Sequence, residues 1–212
     1  MAAISKKQKA LKAVAVLKEL YPDALCSLTA ETPFQLLVAV RLSAQCTDAR
    51  VNIVTPALFK KFPDAQTMAN AETGEVEELI KSCGLYKTKA KDLIQMAKVI
   101  HNELGGELPK TLEGLLKLPG VGRKTANLIC GDVYGLPAVV TDTHCIRIAY
   151  RLGLTTSKDP RKTEDELKKL LPPEESNDFC HRIVLFGRDV CRAQSPKCEE
   201  CSLAEICSKK LK

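Results

Sequence analysis

The sequence predicts an all-α protein, and three observations carry that expectation. Apolar residues recur at three- and four-residue intervals along most of the 212 residues, the period of one helix face. Clusters of glycine and proline punctuate these stretches, as turns between helices require. Alternating β-branched residues, the mark of a half-buried strand, are missing apart from the short Val139-Val140.

The elements follow in order. The basic N-terminal stretch MAAISKKQKALKAVAVLKEL has its apolar residues separated by lysines at helical intervals. It lacks the unbroken apolar core and small-residue cleavage site of a secretory leader, so it reads as an amphipathic helix. Thr32-Pro33 supplies an N-cap and a proline at the first helical position, opening the apolar run 34–42. Further helices are expected over about 47–60, 75–82, 87–102, 111–117, 123–134, 143–152, 161–171 and 177–190. Breaks fall at Pro63-Asp64, Gly84, Gly105-Gly106, Gly120–Gly122, Gly153 and Pro172-Pro173.

Composition narrows the function classes. The chain is long enough for one large domain or two small ones, and its 45% hydrophobic and 27% charged residues are ordinary for a globular protein. No run of 18 uncharged apolar residues is present, so a membrane is not an expected partner and the chain reads as cytoplasmic. The net charge of +6 mildly favours an anionic partner such as nucleic acid. Ten cysteines in a reducing compartment are free thiols or metal ligands, not a disulfide framework.

Three local constellations carry chemistry. The first is Leu118-Pro119-Gly120-Val121-Gly122-Arg123-Lys124-Thr125-Ala126, between two helical patterns. Gly120 and Gly122 let the backbone turn tightly and approach a ligand with no Cβ in the way. The turn amides and the start of the next helix can then face a phosphate. A bare Gly-Val-Gly is equally consistent with an ordinary interhelical loop. The second is the pair Lys124 and Asp142. Lys124 falls in the first turn of a helix, whose positive end favours the free amine that a nucleophile needs. In isolation it reads as a phosphate contact, and Asp142, within Thr141-Asp142-Thr143, as a helix N-cap. The third is Cys191-x6-Cys198-x2-Cys201-x5-Cys207. Four thiols at such spacing suit a tetrahedral metal or an iron–sulfur cluster. Structural zinc usually arrives as two Cys-x2-Cys knuckles, and only one is present here. The other cysteines, Cys26, Cys46, Cys83, Cys130, Cys145 and Cys180, sit mostly in apolar helical patterns as small buried hydrophobes.

Together these segments resemble endonuclease III, a family of helix-hairpin-helix DNA glycosylases, along nearly the whole chain. The resemblance implies two interleaved helical domains: a six-helix domain over 26–136 carrying the helix-hairpin-helix, and an iron–sulfur domain made of 1–25 with 137–212, with DNA lying across the groove between them. It implies that Lys124 attacks the deoxyribose C1′ and that Asp142 assists as acid/base and electrostatic stabiliser. Cys191, Cys198, Cys201 and Cys207 match the spacing of the family's iron–sulfur loop, which implies one 4Fe-4S cluster. A docking and structural role fits that cluster better than catalysis, because neither base excision nor lyase chemistry needs an electron. Gly120, Val121, Gly122, Arg123 and Thr125 match the phosphate-binding hairpin.

Leu42-Ser43-Ala44-Gln45-Cys46-Thr47-Asp48 resembles the family segment whose glutamine enters the space left by an extruded base. Gly84-Leu85-Tyr86-Lys87-Thr88-Lys89-Ala90 resembles the loop whose apolar residue wedges into the opposite strand. Without the resemblance, Gln45 reads as a surface helix residue and Leu85 as a core residue. His144 and His181 read as core or surface histidines rather than ligands. Between the first two cluster cysteines the family often carries several basic residues; here only Arg192 and Lys197 are present, as candidate phosphate contacts. The implied function is removal of oxidised pyrimidines from duplex DNA and cleavage at the abasic site, by a chain expected to act as a monomer. A related adenine-mismatch glycosylase would lack the lysine at 124, and a non-catalytic DNA-binding module would not need Lys124 and Asp142 together.

Overall fold

The structure, a computed structural model, describes residues 4–211. Residues 1–3 and 212, which belong to the expected N-terminal helix and domain bounds, lie outside the described residues. No β-strand occurs among the described residues, and Val139-Val140 is irregular. The architecture is all-α. No described helix is long and apolar enough to cross a membrane.

Side-chain caps fix most helix starts. α1 (Lys6–Leu20) begins with a reciprocal box, in which Ser5 Oγ accepts from Gln8 N at 3.2 Å and Gln8 Oε1 accepts from Ser5 N at 3.0 Å. Thr32 caps α2 (Pro33–Leu42), Thr47 caps α3 (Asp48–Lys61), and Asp64 caps α4 (Ala65–Ala69). The sequence reading treats Pro63-Asp64 only as a break; the signal for α4 was the Asp64-x-x-Thr67 capping box, closed by Thr67 N donating to Asp64 Oδ1 at 2.8 Å. α5 (Thr73–Ile80) runs into a 3₁₀ turn over Lys81–Cys83, and α6 (Tyr86–Leu104) ends at Gly105 in the left-handed region. Then come α7 (Leu112–Leu115), α8 (Arg123–Tyr134), α9 (Thr143–Leu152), α10 (Pro160–Leu170) and α11 (Ser176–Asp189).

The chain divides into two compact units, one over Cys26–Tyr134 and one made of the segment up to Leu25 with the segment from Gly135 onward. In the first, α6 packs against α4 and α5, while α2 packs against α3 and α8. Leu37, Leu58, Ile80, Leu93, Met96, Ile100 and Ile129 are fully buried there. In the second, α1 packs against α10 and α11, and α9 against the same two helices. Its fully buried residues include Ala10, Ala13 and Leu17 of α1, Ile148 of α9 and Phe179 of α11; alanine on α1 lets the helices come close.

The second unit carries a charged network at the start of α11. Glu175 accepts from Lys18 and from Arg182 Nη1, the latter at 2.8 Å, and Arg182 Nη2 donates to Asp178 at 2.8 Å. The hydrogen bond from Lys18 first, and that from Arg182 second, hold the Glu175 carboxyl below its ordinary value. Arg182 is buried, so losing its acceptor leaves a cation poorly matched. Glu175→Gln should therefore cost about 1–2 kcal/mol at neutral pH. The folded carboxyl titrates below the unfolded one, so the contribution is whole above the ordinary glutamate range and is lost as pH falls below that range and through the folded value. Urea unfolding of both proteins from neutral pH to pH about 3 checks this: the gap should begin to narrow below the ordinary glutamate range and shrink further on acidification, and a pH-independent gap would refute it.

Candidate functional site

The hairpin between α7 and α8 is built by two glycines with different jobs. Val121 N donates to Leu118 O at 3.2 Å, and Gly120 sits at φ 73°. Proline in the second position and a left-handed glycine in the third is the pattern of a type II turn. A Cβ on Gly120 would also stand 2.9 Å from Asp92 Cβ and 3.0 Å from Arg41 Nε. That floor is an ion pair between α2 and α6, in which Arg41 Nε donates to Asp92 Oδ2 at 3.2 Å and Nη2 donates to the same oxygen. Gly122 is the opposite case, since a Cβ there meets nothing within 4 Å. Its carbonyl accepts from Ala126 N at 2.9 Å, which puts Gly122 at the cap of α8. With no side chain, Gly122 cannot itself cap the first-turn amides. Val121 is buried and anchors the turn, Arg123 and Thr125 are half-buried, and Lys124 is exposed in the first turn of α8.

The two expected wedge residues share an unusual backbone. Gln45 has φ 54° and Leu85 has φ 49°, both in the left-handed region. A non-glycine residue there is strained by about 1–3 kcal/mol and persists only where its surroundings hold it. Gln45 lies in the turn between α2 and α3, not on a helix surface, and Leu85 is 59% exposed, not in the core. The two plainer readings of these residues are thereby corrected.

Asp142 is the N-cap of α9, as the isolated Thr-Asp-Thr suggests. Its Oδ1 accepts from Cys145 N at 2.7 Å, and Oδ2 takes no part in the cap. Upstream, Val140 N donates to the buried Cys180 Sγ at 3.2 Å, fixing the irregular approach to the helix. Beside Asp142, burial holds the His144 imidazole below its ordinary value, with Asp142 opposing and Arg147 and Arg188 adding to the shift.

Cys191, Cys198, Cys201 and Cys207 are half-buried free thiols. Burial pushes the Cys201 thiol up, and Cys191, Cys207 and Cys198 add to it, so all three lie within electrostatic reach of Cys201. An all-sulfur donor set of this kind fits an iron–sulfur cluster, which takes one thiolate at each iron. It is not drawn onto one point: among the described residues, no three histidine, cysteine or carboxylate groups are gathered to hold a single metal ion. Two arginines of α9 hold the loop. Arg147 Nη2 donates to Cys191 O at 2.9 Å, and Arg151 donates to Arg192 O at 2.6 Å and Ala193 O at 2.9 Å. Arg151 Nη1 also lies 3.5 Å from Cys191 Sγ. Sequence reasoning missed both arginines, because i,i+4 cations on a helix normally read as a solvated face. Arg192 and Lys197 are exposed on this loop, with Lys197 Nζ 3.7 Å from Asp189 Oδ1.

Residues 38–173 match the model of the HhH-GPD superfamily of base excision DNA repair proteins, and residues 191–207 match the iron–sulfur binding domain of endonuclease III. The endonuclease III of Synechocystis sp. is 50% identical over 204 residues, covering 96% of this chain and 93% of that one. The chain belongs to the endonuclease III family. The Bacillus subtilis endonuclease III is 44% identical over 190 residues, covering 89% of this chain and 87% of its own. Among solved structures, a trapped endonuclease III–DNA covalent intermediate superposes with a TM-score of 0.91 at 40% identity, covering 96% of both chains. As a member of this family, the chain is a base excision repair protein that carries a 4Fe-4S cluster. The iron–sulfur match begins and ends on Cys191 and Cys207.

The hairpin glycines should separate cleanly in stability. Gly120→Ala meets both a positive φ and a 2.9 Å contact, and should lower stability by about 1–3 kcal/mol. Gly122→Ala points into open space and should stay within about 0.5 kcal/mol of wild type. Thermal unfolding of both variants checks the assignment, which equal losses would overturn.

Proposed function

We propose that this chain is a bifunctional DNA glycosylase and abasic-site lyase that removes oxidised pyrimidines from duplex DNA. The observation that carries the reading is Lys124, an exposed amine in the first turn of α8, directly after a hairpin whose capping glycine carries no side chain. The trapped covalent complex of the related endonuclease III supports an amine that bonds to DNA, and family membership supports the pyrimidine class.

Gly120, Val121, Gly122, Arg123 and Thr125 hold a phosphate through backbone amides and the cationic side chain. Arg192 and Lys197 add contacts from the cysteine loop. Gln45 and Leu85 fill the space and stacking lost when the damaged nucleotide leaves the helix, which costs a few kcal/mol. Lys124 Nζ then bonds to C1′ as the C1′–N bond to the base breaks, and the adduct becomes an imine when the C1′–O4′ bond opens, the protons lost from Nζ passing to the departing base and to O4′. The imine makes a C2′ proton acidic; its loss breaks the C3′–O bond and cuts the strand on the 3′ side. Asp142, its Oδ1 held by the Cys145 amide, stabilises the positive charge that develops on the sugar. Cys191, Cys198, Cys201 and Cys207 hold the cluster, which shapes the loop carrying Arg192 and Lys197.

Borohydride should trap a covalent adduct on lesion-bearing duplex DNA, with the modified peptide containing Lys124. Lys124→Ala should abolish trapping and strand cleavage while keeping most DNA affinity, since one lost positive charge among several phosphate contacts costs little. Asp142→Asn should slow base removal about 100-fold or more, yet retain measurable cleavage of a preformed abasic site, where no base has to leave. Full trapping by Lys124→Ala would break the assignment.

The cysteine assignment predicts about four irons per chain. Cys201→Ser should lower both iron content and thermal stability, because ligation closes the C-terminal loop. Iron analysis beside a melting curve checks this, and an unchanged iron content would remove Cys201 from the ligand set.

A further inference from the structure

The first unit contains a buried lysine that the reaction does not use. Lys89, in the first turn of α6, is 0% exposed. Its Nζ donates to Leu42 O at 2.8 Å and to Cys83 O at 2.7 Å. Lysine is almost never buried without a compensating partner, because desolvating an ammonium is costly. Here the partners are two backbone carbonyls, and the charged or ionisable groups that face it are the Cys46 and Cys83 thiols and Arg41.

Their location gives the lysine its meaning. Leu42 is the last residue of α2, and Gln45 follows three residues later. Cys83 closes the 3₁₀ turn, and Leu85 follows two residues later. Both carbonyls stand at helix ends, where no helical amide is available to them. The next residues of each segment then enter the left-handed region, at Gln45 and Leu85. Strained conformations of this kind last only where neighbouring bonds over-determine them. Lys89 N also donates to Leu85 O at 3.0 Å, so one residue grips the Leu85 turn through both backbone and side chain. The Cys46 and Cys83 thiols, one from each segment, lie within electrostatic reach of one another.

We propose that Lys89 is a positioning residue that locks the Gln45 and Leu85 turns to one another, presetting the two inserting side chains before DNA arrives. The inference rests on the reading of Gln45 and Leu85 as the inserting pair. It assigns Lys89 no contact with DNA or with the reacting atoms. Its consequence is kinetic: without the tie the two turns relax from the left-handed region, and base extrusion must re-form them each time.

The test is a mutant cycle on the cluster-loaded protein. Single-turnover base removal is measured for Lys89→Met, for Gln45→Ala/Leu85→Ala, and for the triple variant. A 2-aminopurine in the target strand, whose fluorescence rises on unstacking, reports extrusion separately from chemistry. Lys89→Met should slow base removal and extrusion together by about tenfold to a hundredfold, the scale of a small misplacement. In the triple variant, the lysine substitution should cost nothing beyond the loss of the two wedges. An equal further loss there would show that Lys89 acts through something else, and no effect of Lys89→Met alone would overturn the proposal outright. If Gln45→Ala/Leu85→Ala itself left extrusion intact, the wedge reading would be the part that failed. Lys89→Gln, which keeps an amide donor for one of the two carbonyls, decides the cycle if Lys89→Met does not fold, and should fall between Met and wild type. Failure of both variants to fold would make Lys89 a core residue and sink the proposal.

Discussion

The carbonyls where helices end are the hardest groups to satisfy in an all-helical chain, because the helix supplies them no amide and no sheet edge is nearby. This protein meets that constraint with long cationic side chains from neighbouring elements. Lys89 reaches the carbonyls of Leu42 and Cys83. Arg147 reaches those of Gly187 and Cys191, and Arg151 those of Arg192 and Ala193. In each case the carbonyls held lie at a helix end or in the chain just beyond it, next to residues with a proposed role on DNA or at the cluster. The helices are the scaffold, and the buried cations are what fasten the loops to it.

Fastening matters because the loops store strain. Gln45, Leu85 and Ser195 all hold positive φ without being glycine. A held carbonyl lies within three residues of each: Leu42 before Gln45, Cys83 before Leu85 and Ala193 before Ser195. A cation in the core is itself expensive, so the arrangement is stable only as a unit: the ammonium or guanidinium needs the carbonyls as much as the carbonyls need it. Such matched pairs hold geometry more than they add stability.

Asp142 joins a structural role to a chemical one in the same side chain. Capping Cys145 N uses Oδ1 and sets the orientation of the carboxylate, leaving Oδ2 outside the cap. The N-cap reading and the proposed charge-stabilising role therefore do not compete. The hairpin glycines divide the labour differently: Gly120 gives the turn its backbone angle over the Arg41–Asp92 pair, and Gly122 keeps the cap of α8 bare.

Local chemistry was enough to locate most of the helices. Caps such as Thr32, Thr47 and Asp159, and the stops at Gly105 and Gly153, are written in single residues and their near neighbours. The short α4 was the exception, its capping box hidden behind a proline that reads as a break. The hairpin, the pair Lys124 and Asp142, and the 6-2-5 cysteine spacing were likewise legible, because each motif is contiguous or nearly so. What the sequence could not disclose was which charged side chains are buried. Lys89, Arg151 and Arg182 sit in helical patterns where a cation normally faces water, yet each is at most 6% exposed. Nor could it place Gln45 and Leu85 in the left-handed region, since neither residue type favours it. Those outcomes depend on contacts between segments far apart in the chain, Leu42 with Lys89 and Arg151 with Ala193. By itself the sequence determined the helices, their caps and the family's motifs, because those follow from neighbours within a few residues. Only the tertiary structure decided which helix ends would be left without amides and which lysines and arginines would be desolvated to meet them.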